Sequence, residues 1–577
     1  AAGTPGDAPK ARDEPDATDK ADGGDAPKTG GKPSGLAGAV RDAIPAGGAR
    51  PSISTGLPAR GKALGWVIAS SMESSLAKAK TQLFPEKYAM YGDLGTLRAM
   101  GTILGEKSSL VQHFNFAEPA GCVLLDETVT QAPFACFFSY EGGAAAVSTD
   151  VADGKQDDAG GHVAHHVISG QELFVDDLGG AVVVTGHTEM FAKSKGYLSE
   201  TLLPYAKTQA DDLAMVVFPA PLIARYETEA ASMLAAAGPQ GGASLDLYRD
   251  VETFVYAFAL KPDGAHLSMN IGAKEGTDYA NVLAALSAGP VDEKWFTKLP
   301  STTWAMAAYS GHFSKLREGS ALDAIAPIYE KAIESYARET GKDAATVRAS
   351  LSSFFDESLA LYGAAGSWGM LHEPGTTGAM VLALAKDKPG REKWKTWSEA
   401  FTSKAVLDKD ALKNVDWSFK ADAVTVDGVV ADRWTIQLKK VGDPTIAKLR
   451  ERFGGKLELT IDRLEFDDSV VFVAALSDID KADAAVVAAS KGTNTLADAP
   501  GGKALMTKSS RSVGTIAGDG KRMFAWLSEV APEGGPYPSA GVDLTDFVAI
   551  TQADDQHYNI DMAISQPLID QLKTLVP

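Results

Sequence analysis

The stretch Phe254-Val-Tyr-Ala-Phe-Ala-Leu-Lys-Pro-Asp-Gly-Ala-His-Leu-Ser-Met-Asn-Ile271 decides the fold. Two apolar runs flank Lys261-Pro-Asp-Gly264, and Pro, Asp and Gly are typical of a tight turn between strands. Leu267, Met269 and Ile271 alternate with smaller or polar residues, which predicts that they share one buried face of the second strand. A helix is predicted next, from about Thr277 to Leu286. The stretch therefore predicts a β-hairpin followed by an amphipathic helix.

The same order of strand, turn, strand and helix recurs at four other places, 173–203, 367–401, 457–489 and 547–577. A single hairpin cannot bury its apolar face alone, so helices or neighbouring hairpins must cover it. We therefore expect an α+β fold in which repeated β-hairpin–helix units form antiparallel sheets covered by helices. Helical spacing of apolar residues over 321–363 predicts an αα-hairpin inserted into this pattern.

A chain of 577 residues is too long for a single core. Residues 1–55 are expected to be a disordered tether, because the first large apolar side chain is Leu36 and nothing before it offsets the entropy of ordering. Four α+β repeat modules are expected over 56–208, 209–298, 299–443 and 444–577. The third module carries the helical hairpin.

The formal net charge is −20, and residues 1–50 contain seven Lys and Arg against eight Asp and Glu. Nearly all of the negative charge therefore lies beyond the tether. Such a surface repels phosphate groups, which argues against nucleic acid as a partner and against direct docking on anionic lipid. No apolar run reaches the length of a transmembrane helix, so no membrane span is expected.

Cys122 and Cys136 lie in two short apolar runs separated by the polar Glu127-Thr-Val-Thr-Gln131, a pattern that predicts a hairpin with one cysteine on each strand. If the two face each other, they can form a cross-strand disulfide, which persists only in an oxidising compartment. The alternative is a pair of buried free thiols, because cysteine is among the most buried residue types.

The sequence begins Ala1-Ala2-Gly3 and shows no initiator Met and no apolar signal segment, so residue 1 is expected to follow a processed or engineered start. Flexible Pro- and Gly-rich stretches often follow the cleavage site of exported bacterial proteins. Composition thus favours an extracytoplasmic location, in the periplasm, at the outer membrane or on the cell surface. A disordered tail on a cytoplasmic protein is the alternative.

Three histidines are candidate metal ligands. His162 and His166 would share one face of a strand, and His187 or the carboxylates Asp157 and Asp158 could add a third ligand. The alternative to a metal site is that these histidines lie on a polar strand or at the edge of a loop, and this interpretation is favoured. Acidic turns around Asp478, Asp480 and Asp483 have oxygen ligands that suit calcium, but helix capping explains them better.

No motif assigns a catalytic residue. Ser75-Leu-Ala-Lys78 has the Ser-x-x-Lys spacing that puts a hydroxyl and an amine on one helical face, but the companion motifs of that enzyme class are missing from the expected places. No phosphate-binding loop or dinucleotide fingerprint is present, so no cofactor is expected.

Leu299-Pro-Ser-Thr-Thr-Trp-Ala-Met306 and the closing Ile560-Asp-Met-Ala-Ile564 with its terminal helix resemble an uncharacterised family of exported bacterial envelope proteins. The resemblance covers roughly 84–577 and carries no catalytic residues. It implies an envelope location more than an activity.

The leading hypothesis is a non-enzymatic envelope protein on a flexible tether that binds, or acts as a scaffold for, a protein, an envelope polymer or an apolar ligand such as lipid. One alternative is an extracytoplasmic hydrolase whose carboxylates or serine converge only in the fold. Another is a structural subunit of a surface assembly, which an extended apolar patch would favour.

Overall fold

The computed structural model describes residues 57–96, 112–128, 133–151, 162–165, 172–229, 232, 248–287, 289–310, 334, 337–338, 341, 343–346, 365–372, 378–385, 391–402, 415–439, 447, 450–451, 455, 457–476, 478–509, 511–520, 522–523 and 544–575. The predicted tether, residues 1–55, and most of the predicted helical hairpin over 321–363 lie outside these residues.

The described residues form nineteen strands, all of them in antiparallel pairs. In chain order these are β1 Ala63–Ala69, β2 Ala120–Leu125, β3 Phe134–Phe138, β4 His162–His165, β5 Glu172–Asp177, β6 Val182–Thr185, β7 Leu213–Val217, β8 Val251–Lys261, β9 Gly264–Ala273, β10 Thr303–Tyr309, β11 Gly366–Leu371, β12 Met380–Ala385, β13 Val415–Val426, β14 Val429–Leu438, β15 Glu458–Glu465, β16 Ser469–Ala475, β17 Gly514–Gly518, β18 Phe547–Ala553 and β19 His557–Ser565.

Helices follow many of the strands. They are α1 Met72–Gln82, α2 Gly143–Val151, α3 Thr188–Tyr197, α4 Leu203–Thr208, α5 Pro219–Arg225, α6 Asp278–Leu286, α7 Lys294–Thr297, α8 Arg391–Thr402, α9 Ile479–Ser490, α10 Gly502–Ser509 and α11 Gln566–Leu575. Short 3-10 turns occupy Glu86–Gly92 and Leu496–Asp498, and a π-helical turn, Leu198–Leu202, joins α3 to α4. Ser71 and Thr277 begin α1 and α6 by accepting a hydrogen bond from a backbone N–H of the first turn.

Hydrogen bonds join all nineteen strands into one sheet. Their order across it is β4-β5-β6-β3-β2-β1-β7-β8-β9-β19-β18-β17-β10-β11-β12-β16-β15-β14-β13. Counted from the other edge, the order β14-β15-β16-β12-β11-β10-β17-β18-β19 corresponds strand for strand to β4-β5-β6-β3-β2-β1-β7-β8-β9. Strand β13 is one additional strand at the far edge. The sheet thus consists of two halves with the same topology, joined where β9 pairs with β19.

The strand registers of the two halves also agree. β1 and β10 each carry a bulge at the same point, between Ala63 and Gly65 and between Thr303 and Ala305. In the hairpins β8–β9 and β18–β19 the matched pairs have the same separation along the chain, because Phe254 lies opposite Ile271 and Phe547 lies opposite Ile564. Positions in the halves can therefore be matched residue by residue.

Helices cover the same face of the sheet in both halves. In the first half, Trp66 and Ile68 of β1 pack in one buried cluster with Met190 of α3. In the second half, Met306 of β10 packs with Trp295 of α7 and Val486 of α9. These two clusters contain far more buried apolar residues than the other two, and burial of such residues is the main stabilisation of a fold.

An α+β fold built on antiparallel sheet is thus confirmed. In the described part of the chain, no helix combines the length and the apolar character that crossing a membrane requires. The division into four modules at 208, 298 and 443 stays a prediction.

Candidate functional site

The second face of the sheet is also apolar. Side chains alternate between faces along a strand, and directly opposed residues of neighbouring antiparallel strands point the same way. Leu267, Met269 and Ile271 share one face of β9, as the alternation predicts, but they are only partly buried there. We call this side of the sheet, opposite the helix-covered cores, the open face.

Two cross-strand rows define the open face. The first row runs through Val184, Cys136, Cys122, Val67, Met215, Tyr256, Met269, Ile560 and Thr551. The second runs through Leu213, Phe258, Leu267, Met562, Ala549, Ile516, Ala307, Trp368, Leu382 and Phe472. Neither row contains a charged residue.

Several side chains of the open face are exposed. Val67 is 36% exposed, Leu213 45%, Met380 38% and Ile516 50%. Met380 belongs to this face because it is opposed by Met370 and Ala474, next to the second row. Exposed apolar side chains that lie on one face of a sheet mark a binding or association surface. Met and aromatic side chains in the rows add a surface that adapts to irregular apolar shapes.

Helices cover the open face near both edges of the sheet. In the first half, Ala144 and Val147 of α2 pack on Val175 and Val182. In the second half, the Trp394 ring of α8 contacts Phe472 edge-on, with 5.2 Å between ring centroids. Closer to the middle, Leu283 of α6 shares a small cluster with Tyr558. The open face is therefore bounded at each end by a helix.

An aromatic cluster lies at the second-half end of the open face. Trp434 of β14 lies 5.9 to 6.4 Å, between ring centroids, from Phe419, Trp417 and Trp394. The indole N–H of Trp434 donates a 3.3 Å hydrogen bond to the Ser398 hydroxyl of α8. This hydrogen bond and the ring contacts hold α8 against the sheet.

Charged residues follow directly after this apolar surface. Arg463 lies opposite Phe472, the last residue of the second row, and is 3% exposed. Its Nη1 donates a 2.9 Å hydrogen bond to Glu465, while its Nε is buried without a hydrogen-bond partner. Asp432, directly opposite Arg463, is fully buried and accepts two hydrogen bonds from Arg391 of α8, at 3.0 and 2.6 Å. Hydrogen bonding to Asp432 raises the pKa of Arg391.

A second buried charge cluster lies on the helix-covered side of the same strands. Arg433 donates to both carboxylate oxygens of Asp462, from Nε at 2.8 Å and from Nη2 at 2.6 Å. Asp483 of α9 is fully buried, and neither of its carboxylate oxygens meets a donor. Burial, and then a hydrogen bond with Asp462, raises the pKa of Asp483 to about 9. The neutral form of the Asp483 carboxyl is therefore favoured at neutral pH.

The structure brings the Ser-x-x-Lys residues together around a third residue. Asp212 Oδ1 accepts hydrogen bonds from Ser75 Oγ at 3.0 Å and from Lys78 Nζ at 2.7 Å. Asp212 Oδ2 accepts from the backbone N–H of Leu260 at 2.6 Å. Asp212 thus accepts from both side chains of the Ser-x-x-Lys motif through the same oxygen. The cluster attaches α1 to β7 and β8.

Cys122 and Cys136 lie directly opposite each other on β2 and β3, and the structure joins their sulfurs as a disulfide. Both belong to the first row, between Val184 and Val67. The bond therefore lies in the floor of the open face.

The part of the structure that is described does not bring the three candidate metal ligands, His162, His166 and His187, together. His187 is the N-cap of α3, and its Nδ1 accepts a 3.2 Å hydrogen bond from the backbone N–H of Glu189. His162 begins β4, and His166 lies outside the described residues. Within the described ranges, no three His, Cys, Asp or Glu side chains are placed to hold a metal ion. Asp478 occupies the N-cap of α9 without a side-chain capping bond.

Sequence reasoning missed the open face as a site, although its signal was present. The apolar alternation on β8, β9 and β19 is visible in the sequence, but the pattern does not say which apolar face the helices cover. It also missed the Asp462–Asp483 pair, because the two carboxyls lie 21 residues apart on a strand and a helix.

No family model, curated protein or solved structure matches this chain. Its function is therefore inferred from the geometry of its own residues.

Proposed function

We propose that this chain is a non-enzymatic, tethered binding protein of the bacterial cell envelope that holds an apolar ligand, a lipid chain, on the open face. The single observation that carries the proposal is the pair of uncharged rows with exposed members such as Leu213 and Ile516. At about 4.8 Å per strand, the second row spans roughly 40 Å. One lipid chain extends over roughly 15 Å, half of a bilayer core.

The chemistry of the rows favours a lipid chain over a polar polymer. Apart from hydroxyl groups such as those of Tyr256 and Thr551, the rows offer only aliphatic, Met, aromatic and sulfur surface. A sugar or peptide backbone would lose water on such a surface without regaining hydrogen bonds. A lipid chain loses nothing by leaving water and gains contact along the whole row.

The binding of a neutral fluorescent apolar probe, Nile red, tests the proposal. Ile516→Lys and Leu213→Lys each place a charge on the open face, and we expect each to weaken probe binding by at least about tenfold, because the ligand would desolvate the ammonium. Ala145→Lys adds the same charge on the exposed side of α2 and should leave binding within about twofold. Equal binding by all four proteins, or none by the unsubstituted protein, contradicts the proposal.

The disulfide supports the envelope location in this proposal. A disulfide between Cys122 and Cys136 persists outside the reducing cytoplasm, and this supports placing the protein in the envelope.

We further propose that the body is built from the hairpin–helix unit predicted from the sequence. What supports this is that β5–β6, β8–β9, β11–β12, β15–β16 and β18–β19 are each a pair of antiparallel strands followed along the chain by a helix.

The exposed open face also favours a second candidate, a structural subunit of a surface assembly, in which copies of the chain cover this face mutually. The molar mass in solution separates the two candidates. A subunit would form oligomers that dissociate when Ile516 is replaced by Lys. A lipid-binding monomer would have the same molar mass as the unsubstituted protein and as Ile516→Lys.

A further inference from the structure

From the charged end of the open face we infer a head-group site: Arg463, with Arg391, receives the anionic head of a single-chain amphiphile whose tail lies along the second row. This inference rests on the proposed function and names the ligand class and its orientation. It also implies that the two halves of the sheet are not equivalent as binding surfaces.

The position of Arg463 is the first observation. Its cross-strand neighbour is Phe472, and the row continues from there through Leu382 and Trp368. A chain lying on this row therefore has the guanidinium of Arg463 at its end. The Trp394 ring packs against the guanidinium of Arg463, with 6.0 Å between the ring centroid and the guanidinium carbon.

The unused hydrogen-bonding capacity of Arg463 is the second observation. A guanidinium offers five N–H donors. Nη1 of Arg463 donates a hydrogen bond to Glu465. The same Nη1 lies 3.8 Å from Asp432, which is an ion-pair distance but too long for a hydrogen bond. The buried Nε has no hydrogen-bond partner. A buried donor without an acceptor costs free energy, and a ligand carboxylate or phosphate would relieve that cost.

Arg391 supplies a second guanidinium that is more exposed than that of Arg463. Its side chain is 26% exposed, and it binds the buried Asp432. The other charged groups here are Lys395 and Glu392 on α8, Asp422 on β13, and Glu465. Each carboxylate already has a cationic partner: Arg391 for Asp432 and Asp422, Lys395 for Glu392, and Arg463 for Glu465.

The first half supplies an internal comparison. Its register places Val175 where the second half has Arg463, and His162 where the second half has Asp432. Val175 packs against α2 in an ordinary apolar cluster. Because the same topology forms with Val at this position, the fold does not require the buried arginine, which favours a role in binding.

Displacement of Nile red by dodecanoic acid, dodecanol and dodecylamine, which share one chain and differ in head group, tests the inference on the unsubstituted protein near neutral pH. We expect the acid to displace the probe at a concentration about tenfold lower than the alcohol, as one charge-assisted hydrogen bond implies, and the amine to be weakest. Arg463→Met should erase the preference for the acid without changing the alcohol. Arg463→Lys, which keeps the charge, should retain part of the preference.

The outcomes separate the two proposals. If acid and alcohol displace the probe equally, or the amine is preferred, the head-group site is wrong while lipid binding stands. If no amphiphile displaces the probe, the proposed function fails as well. If Arg463→Met does not fold, the ligand series on the unsubstituted protein and on Arg463→Lys still decides the question.

Discussion

Ser268 and Asp561 face each other across the boundary between β9 and β19, and the Ser268 hydroxyl donates a 2.6 Å hydrogen bond to the Asp561 carboxylate. The two residues occupy the same position in their respective halves, since Leu267 and Ile560, just before them, lie opposite Phe258 and Thr551 in matching registers. This hydrogen bond therefore marks the centre of the approximate two-fold relation between the halves.

Asp561→Ala should loosen that junction. It removes the acceptor of the Ser268 hydroxyl at a half-buried position, so we expect a loss of about 1 kcal/mol in the free energy of unfolding. Thermal and urea unfolding of the full chain measure it. Asp555→Ala, at an exposed turn position of the β18–β19 hairpin, is the matched control and should change nothing. An equal effect of both substitutions would argue that Asp561 has no special role.

Asp483→Asn should stabilise the protein, and the gain should grow with pH. Burial raises the pKa of Asp483 from 3.8 to about 9 in the folded state, so between those values the folded state binds the extra proton. Stability from this group is complete below about pH 4 and is lost as pH rises toward 9, at up to about 1.4 kcal/mol per pH unit. Asn has nearly the same size and shape as Asp and does not ionise.

Unfolding midpoints of both proteins from pH 5 to pH 9 are the measurement. Asp467→Asn changes an exposed acid in the turn between β15 and β16, outside this cluster, and serves as the control. A constant difference between Asp483→Asn and the unsubstituted protein across this range would show that Asp483 is ionised in the folded state.

Arg391→Met should be strongly destabilising. It leaves the fully buried Asp432 without its two-point partner, and an uncompensated buried charge costs about 3–5 kcal/mol. Lys395→Met, on the same helix, removes ion pairs to the exposed Asp422 and Glu392 and should cost no more than about 0.5 kcal/mol. Similar unfolding midpoints for the two variants would contradict the burial of Asp432.

The thiol count tests the disulfide. Denatured protein alkylated without reductant should show no modified cysteine by mass spectrometry, and two after reduction, because the described structure has no free cysteine. Two modified cysteines before reduction, in protein isolated from its native compartment, would favour buried free thiols and weaken the case for an envelope location.

The sequence predicted local structure well where a turn lies between two apolar runs. The hairpin around Lys261-Pro-Asp-Gly264 was placed within a few residues, and Gly264 is needed there because its φ of +145° suits only glycine and a Cβ would collide with the Ile564 carbonyl. Turn chemistry is local, so one sequence is enough to find it.

The long-range order was beyond the sequence. The two halves share topology but few residues, as Arg463 against Val175 and Asp462 against Phe174 illustrate. Strand order depends on contacts between residues hundreds of positions apart, such as Met269 with Ile560, and no single periodicity encodes them. The charged end of the open face was missed for the same reason, since Arg391, Asp432 and Arg463 come from three separate elements.

The most direct test of the central claim is to map where a lipid chain touches the protein. A fatty acid with a photoreactive group in its tail, crosslinked to the full chain and located by peptide mass spectrometry, should label open-face residues such as Met215, Met269 and Ile516, and excess unlabelled dodecanoic acid should suppress the labelling. Labelling spread over the outer surfaces of α3 and α9, or labelling that unlabelled acid does not reduce, would contradict a lipid-binding open face.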